Sequence, residues 1–308
     1  MRSPSMIINY FVTAIRAIKN DSQHFFLNLT GFSIGLAAAI LMALFAQHEL
    51  SYDKQHPASE RVYLGHTDYT AVGLQVISIS SFKLAEKIKN NSQIEDIFRL
   101  VNTQEIGQGV SNLVEVDGNF HRLNDFYMAS ANILDFINLT TTSGDITQAL
   151  SKPNQLVLSE REATRLFGNS KAVGQTLNHD EKLYTVGAIF KNLPENTHFK
   201  FDSLIHMPTK LMQESYGYAY YKLLAGADLP GLTQQLIKES HIISPWQVKQ
   251  NVKMALVNME DLHLNGNDPA AMKTGGSSTV LQISIGLSVI LILIASINFI
   301  NLAIANNL

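Results

Sequence analysis

Two long runs without a charge bracket this chain. Phe25 to Gln47 (FFLNLTGFSIGLAAAILMALFAQ) holds no charged residue over 23 positions. As a helix it is about 35 Å long, against a bilayer core of about 30 Å, so the pattern predicts a membrane-spanning helix. Val280 to Ala305 is also uncharged, and nearly all aliphatic from Ile283 to Ile297; it predicts a second span. Soluble core helices rarely run this long without a charge. The first run is too long for the apolar core of a cleaved signal, and no small-x-small site precedes Glu49. Within the spans, Gly31, Gly35 and Ala39 make a stripe of small residues at intervals of four. Asn298 and Asn301, three apart, share a face. Amides in lipid need partners, so both faces are expected to pack on helices rather than on lipid.

Ahead of the first run, Met6 to Ile18 places Ile7, Tyr10, Phe11, Ala14 and Ile18 at helical spacing, predicting an amphipathic helix at the membrane interface. Arg2, Arg16 and Lys19 precede the first span against Asp21, whereas Glu49 and Asp53 follow it against Lys54. The positive side predicts a cytoplasmic N-terminus and an external middle.

The middle alternates short strands and helices. Arg61–Tyr69 and Ile94–Asn102 read as strands flanking a helix over Ser80–Lys89 that turns Phe82, Leu84, Ala85 and Ile88 inward. A similar βαβ unit follows near the end: a strand over Tyr218–Leu224, a helix over Pro230–Glu239 with Pro230 in its first turn, and a strand over Val252–Leu262. Between them, Asp117-Gly118 predicts a hairpin joining Leu113–Val116 to Asn119–Leu123. Ser159–Phe167 reads as a helix with Ser159 as N-cap, Glu162 at capping-box spacing and Gly168 as the stop. Leu183–Phe190 reads as a strand. The fold class is α+β: two transmembrane helices bracketing a mixed α/β domain, itself a βαβ pair with an inserted mixed region.

Charge and composition remove several chemistries. A net charge of −3 gives no basic footprint for nucleic acid. The absence of cysteine excludes disulfides, thiol catalysis and Cys-ligated zinc. No P-loop, HExxH or GxSxG is present. His198 and His206, eight apart, are a weak metal signal. Glu160 and Glu162 around Arg161 are expected on a solvated helix face rather than as an acid–base pair. Tyr216, Tyr218, Tyr220 and Tyr221 are expected to pack a sheet rather than form a binding surface. No catalytic, cofactor or metal site is expected.

Five segments, in order, resemble FtsX/MacB-type ABC transporter permeases. INYFVTAIRAIKNDSQHFFLNLTGFSIGLAAAILM is similar to that family's opening, an interfacial helix followed by a span written N-x-x-GL-x-IG, carried here by Ala14, Ile15, Arg16, Lys19, Asn20, Asn28, Gly31, Ile34 and Gly35. ELSYDKQHPASERVY resembles its ELSYD-FH-A-RIYR segment, and LVLSEREATRLFGNSKAVGQTL its VISE--A-KLFG segment. YTVGAIFKNLPENTHFKFDSLI resembles YTVTGV-KD-PENSHF-FD-L, and SINFINLAIA the second-span signature INFINL-TA.

The resemblance implies an interfacial helix over 1–24, spans over 25–47 and 279–305, and a MacB-like periplasmic core domain over 48–278. That domain divides into a porter-like part (55–104 and 216–265) and an inserted subdomain (105–215). It implies a permease subunit, or the N-terminal part of one, in the bacterial inner membrane as a multi-pass protein with a periplasmic domain. A separate ABC-type ATPase hydrolyses ATP in the cytoplasm and drives export or extraction of a peptide, lipoprotein or drug. Implied partners are that ATPase, a homodimer or second permease copy through the first span, and membrane lipid. Family members continue through a cytoplasmic loop and two further spans, so a chain ending at Leu308 is expected to be a fragment or truncated product. The alternatives are a membrane-anchored sensing or binding module without transport, and a membrane-anchored enzyme.

Overall fold

The structure is a computed structural model describing residues 22–104, 111–169, 171–244, 251–265 and 268–305, with the isolated helical positions Ile8, Val12 and Arg16. The interfacial helix expected over Met6–Ile18 otherwise lies outside the described residues. The chain divides into two compact units: Ser51–Gly276, and the two ends through Leu50 and from Ser277.

Helix α1 (Ser22–Glu49) opens the described chain. The larger unit begins with β1 (Val62–Asp68), two short strands β2 (Val76–Ile77) and β3 (Ser80–Ser81), α2 (Phe82–Ile88) and β4 (Ile94–Asn102). Next come β5 (Leu113–Val116), β6 (Asn119–Arg122), β7 (Phe126–Ala129), β8 (Thr141–Gly144), α3 (Ile146–Leu150), β9 (Gln155–Ser159) and α4 (Glu160–Phe167). They are followed by β10 (Thr176–His179), β11 (Lys182–Phe190), β12 (Ser203–His206) and α5 (Thr209–Glu214). The unit closes with β13 (Tyr216–Leu223), α6 (Leu229–Ile243) and β14 (Lys253–Asn258).

Among the described residues the strands form one sheet, running β14-β1-β13-β4 and then β7-β12-β9-β11-β10-β5-β6. β1 pairs antiparallel with both β13 and β14, and β13 antiparallel with β4. So β1 and β4, the two strands around α2, are parallel but not neighbours; β13 lies between them. In the same way β13 and β14 enclose β1. Two split βαβ units thus interlock, each filling the other's gap. The strands of 105–215 are added at the far edge, where β7 pairs antiparallel with β4.

Side-chain alternation explains why both faces are covered. On β13, Ala219, Tyr221 and Leu223 enter a core with Phe82, Leu84, Ala85 and Ile88 of α2 and Leu232 and Leu236 of α6. Tyr218 and Tyr220 enter a second core on the opposite face, with Phe98, Phe136, Phe190 and Phe199. β4 does the same with Ile97 and Val101 against Phe98 and Leu100. A sheet buried on both faces reads as a near-continuous apolar run, as IEDIFRLVN largely does.

Local signals form where the sequence places them. The hairpin turns at Asp117-Gly118, with Val116 paired to Asn119. Ser159 Oγ accepts the Glu162 N–H and Gly168 ends α4 with φ 74°. Pro230 sits in the first turn of α6, whose N-cap is Asp228. The last described element, α7 (Ser278–Ala305), pairs with α1 in the other unit. Phe26–Glu49 and Ser278–Ile300 are long and apolar enough to cross a membrane.

Two glycines with the same backbone separate conformational strain from packing. Gly118 and Gly144 have φ of 78° and 77°. A Cβ on Gly118 meets nothing within 4 Å, whereas one on Gly144 collides with the backbone of Gly187 and Ala188. Gly118→Ala should cost only the left-handed strain, about 1–2 kcal/mol. Gly144→Ala should cost clearly more, because β8 must leave its β11 partner. Chemical denaturation of the detergent-solubilised chain measures both, and equal costs would contradict the close approach.

Candidate functional site

The side chains drawn together most densely come from two of the quoted segments, SYDKQH and PENTHF, which lie some 144 positions apart. Asp53 is their centre. It has a left-handed backbone, φ 62°, tolerated by a short polar side chain, and its side chain is fully buried. Oδ1 accepts the Thr197 hydroxyl at 2.6 Å and the His198 N–H at 3.0 Å. His198 Nδ1 lies 2.9 Å from Oδ2, and His56 Nε2 3.3 Å from Oδ1. The Asp53 N–H donates to Asn196 O at 3.0 Å. His56 Nδ1 accepts the Asn138 N–H at 3.3 Å, which leaves the ring proton on Nε2, 2.9 Å from Thr197 Oγ1. On the far side, His198 Nε2 is 2.8 Å from the hydroxyl of fully buried Tyr220.

Burial alone would raise the Asp53 carboxyl. The His198 charge and hydrogen bonds from His198, His56 and Thr197 outweigh it and hold the group well below the usual carboxylate range. Burial also pushes the Tyr220 phenol far up, keeping it neutral. Asp53 is therefore not one of the surface acids flanking the first span, as the charge count took it to be. Orientation is set by Lys and Arg rather than by acids, so the predicted direction is unaffected.

The entry and exit of this domain are tied beside this cluster. The rings of Tyr52 and His263 stack at 3.4 Å and 6°. Ser59 Oγ donates to Glu260 Oε1 at 2.7 Å, and Asn258 Nδ2 to Glu60 O at 2.9 Å. Asn196 Nδ2 reaches Ser51 Oγ at 3.0 Å.

A second junction joins the SERE and FKFD segments. Asp202 takes the Ser159 hydroxyl and an Arg161 N–H, each at 2.7 Å. Glu162, expected on a solvated face, is instead fully buried. Its carboxylate accepts the Asn124 N–H at 2.9 Å and two Arg165 donors at 2.9 and 2.6 Å. Four donors outweigh the usual preference of a glutamate for water. Glu160 remains half-buried. His206 is not near His198's partners; its Nδ1 lies 2.6 Å from Leu150 O. Among the described residues no three His, Asp or Glu side chains are grouped to hold a metal. Tyr218, Tyr220 and Tyr221 are buried in the sheet, while Tyr216 is exposed.

In the helical unit, the less exposed positions of α1 are Asn28, Phe32, Gly35, Ala39, Met42 and Ala46, at steps of three and four. On α7 they are Leu281, Ser284, Ser288, Leu291, Ala295 and Asn298. Contacts run in opposite directions along the two helices: Phe32 meets Phe299, and Ser288 Oγ donates to Ala39 O at 3.1 Å. The helices are antiparallel, with the step pattern of shallow-angle packing. Gly35 and Ala39 belong to this seam; a Cβ on Gly35 would lie 3.7 Å from Ala295 Cβ. Gly31 faces open space. Asn298 is half-buried, and the side chain of Asn301 lies outside the described residues.

A family model, the MacB-like periplasmic core domain, matches residues 25–239. The chain belongs to this family. No curated protein matches it. Among solved structures, it is similar to a domain of a Porphyromonas gingivalis protein assigned as a permease, with 18% identity, TM-score 0.53, and coverage of 75% of this chain and 99% of that one. It is also similar to the periplasmic region of MacB from Actinobacillus actinomycetemcomitans, with 12% identity, TM-score 0.47, and coverage of 66% and 91%. A third is the extracellular domain of the noncanonic ABC-type transporter YknZ from Gram-positive bacteria, at 10% identity, TM-score 0.41, and coverage of 58% and 90%. At 18% identity the first shows a common fold.

The MacB-like domain therefore carries its Asp53 cluster on segments that the sequence reading quoted without giving those residues a role. The available signal was the pair of short polar motifs, SYDxxH and ENTH, standing in otherwise apolar surroundings. For a buried charge stripped of its partners, the expected cost is about 3–5 kcal/mol, so Asp53→Ala should destabilise the domain by roughly that amount. Because the folded carboxyl titrates below its unfolded value of about 3.9, this contribution is complete above that pH and lost as pH falls through the folded value. The gap in unfolding free energy between wild type and Asp53→Ala should persist from neutral pH to about pH 4 and shrink below it; a gap that widens in acid would refute the arrangement. In the helical unit, the absence of native cysteine allows a clean crosslink through Ala39→Cys and Ser288→Cys. Adding Gly35→Leu should cut its yield several-fold, and an undiminished yield would place the seam elsewhere.

Proposed function

We propose that this protein is a permease subunit, or the N-terminal part of one, of an FtsX/MacB-type ABC transporter. A separate cytoplasmic ATPase hydrolyses ATP, and the periplasmic domain changes conformation to export or extract a substrate such as a peptide, lipoprotein or drug. The N-terminus is cytoplasmic, the membrane is the bacterial inner membrane, and a second permease copy packs on α1. The chain catalyses no reaction of its own.

The observation that carries this reading is the tie between the domain's entry and exit. Tyr52 stacks on His263 and Ser59 bonds Glu260. Tyr52 follows α1 by three residues, and the segment from His263 leads to the start of α7 at Ser278. A displacement at either stem is thus delivered to both central strands, β1 and β14, rather than absorbed by a loose linker. The seam between α1 and α7 supports the same reading, since it lets the two helices move as one body.

Two measurements test it together. Affinity purification of the protein from its native membrane should recover a P-loop ATPase whose turnover rises with the protein present. A single cysteine at exposed Phe120 should be labelled by a membrane-impermeant maleimide in spheroplasts. Labelling only after the inner membrane is broken would overturn the orientation, and unchanged turnover the coupling.

A further inference from the structure

The face of the sheet bearing Tyr218 and Tyr220 holds a small cavity, of about 50 Å³. Its floor is Leu64 and His66 of β1 with Tyr218 and Tyr220; its other wall is the segment 262–275, through Met272 and Lys273 among others. That segment is strapped down. Asp268 Oδ2 accepts the Ser78 N–H at 2.8 Å and Asp268 Oδ1 the Ala270 N–H at 2.8 Å. The Tyr218 hydroxyl donates to Ala270 O at 2.5 Å, Lys273 Nζ to Glu195 O at 3.2 Å, and the Gly276 N–H to His263 O at 2.7 Å.

The polar groups at this cavity are unevenly satisfied. The acidic side chains beside it, Asp268 and Asp53, accept several hydrogen bonds each from within the protein. The Ser78 hydroxyl and His66 Nδ1 have no partner, although Ser78 is 2% and His66 6% exposed. Buried polar atoms without partners are costly, about 1–3 kcal/mol each, and in native proteins mark a missing water or ligand. The other ring nitrogen of His66 is 3.7 Å from Asp268 Oδ2, which directs a proton to Nε2. The two orphaned atoms therefore flank one point near Asp268, with the Lys273 ammonium also in the lining. Around them the cavity is apolar.

We propose that this cavity binds a short-chain monocarboxylate. Its acyl chain lies against Leu64, Tyr218 and Met272, and its carboxylate accepts from Ser78 Oγ and from a doubly protonated His66, whose ring is then held between two carboxylates. The volume admits a few waters, at about 10–15 Å³ each, or a short acyl chain, but not a drug-sized ligand. Acceptors already in use and donors still free select an anion over an amine. The ligand would close the strap 262–275 on β1, and the strap continues in sequence into α7.

The test is calorimetric titration of the full chain in detergent micelles with butyrate, beside butylamine as its cationic counterpart. Butyrate should bind saturably and shift the His66 ring resonance in histidine-labelled protein, while butylamine does neither. Ser78→Ala should weaken butyrate about tenfold or more, the loss of one hydrogen bond to a charged group. Because Ser78 Oγ has no partner in the empty cavity, that variant should melt no lower than wild type, so weakened binding is not unfolding. No saturable binding of butyrate at millimolar concentration, equal binding of butylamine, or full affinity in Ser78→Ala would each overturn the proposal.

Discussion

Taking the Asp53 carboxylate out of water costs several kcal/mol before any contact is made, and the surrounding structure is arranged around offsetting it. Thr197, His198 and His56 supply the donors. In doing so they fix the segment that enters the domain against the loop that follows β11. His198 then reaches Tyr220 on β13, and Tyr220 packs on Phe98 of β4. One buried charge therefore orders the domain's entry, one loop and the middle of the sheet. The left-handed backbone at Asp53 is held in place by the same contacts.

The sheet converts this local order into a rigid frame. Interlocking two split βαβ units places β13 between β1 and β4, so strands far apart in sequence are bonded along their length. The strands of 105–215 cover the edge that β4 would otherwise expose, and an open edge is a template for unwanted pairing. Cores on both faces leave no layer free to slide without disrupting packing on the other side.

The apolar helices follow a different logic, because lipid offers no hydrophobic drive for their association. Their seam uses small residues, Gly35, Ala39 and Ala295, which allow close approach, and one hydroxyl, Ser288, which bonds across to a backbone carbonyl. A serine hydroxyl in a helix can bond its own preceding turn, as Ser284 and Ser296 do; Ser288 is distinguished by reaching the other helix.

Elements whose cause is local were legible in the amino-acid sequence: both apolar helices, the Asp117-Gly118 hairpin, the Ser159 cap and Gly168 stop, and the inward face of α2. Family membership was legible too, from motifs that are short and ordered. Decided only in three dimensions were the insertion of β13 between β1 and β4, the burial of Glu162, the facing of Gly35 rather than Gly31 toward α7, and the meeting of Asp53 with Thr197 and His198. Caps, turns and apolar periodicity act over a few residues, so they can be read in place. Which strand fills a gap, and which acid finds enough donors to leave water, depends on sheet register across more than a hundred residues, and no local pattern carries that information.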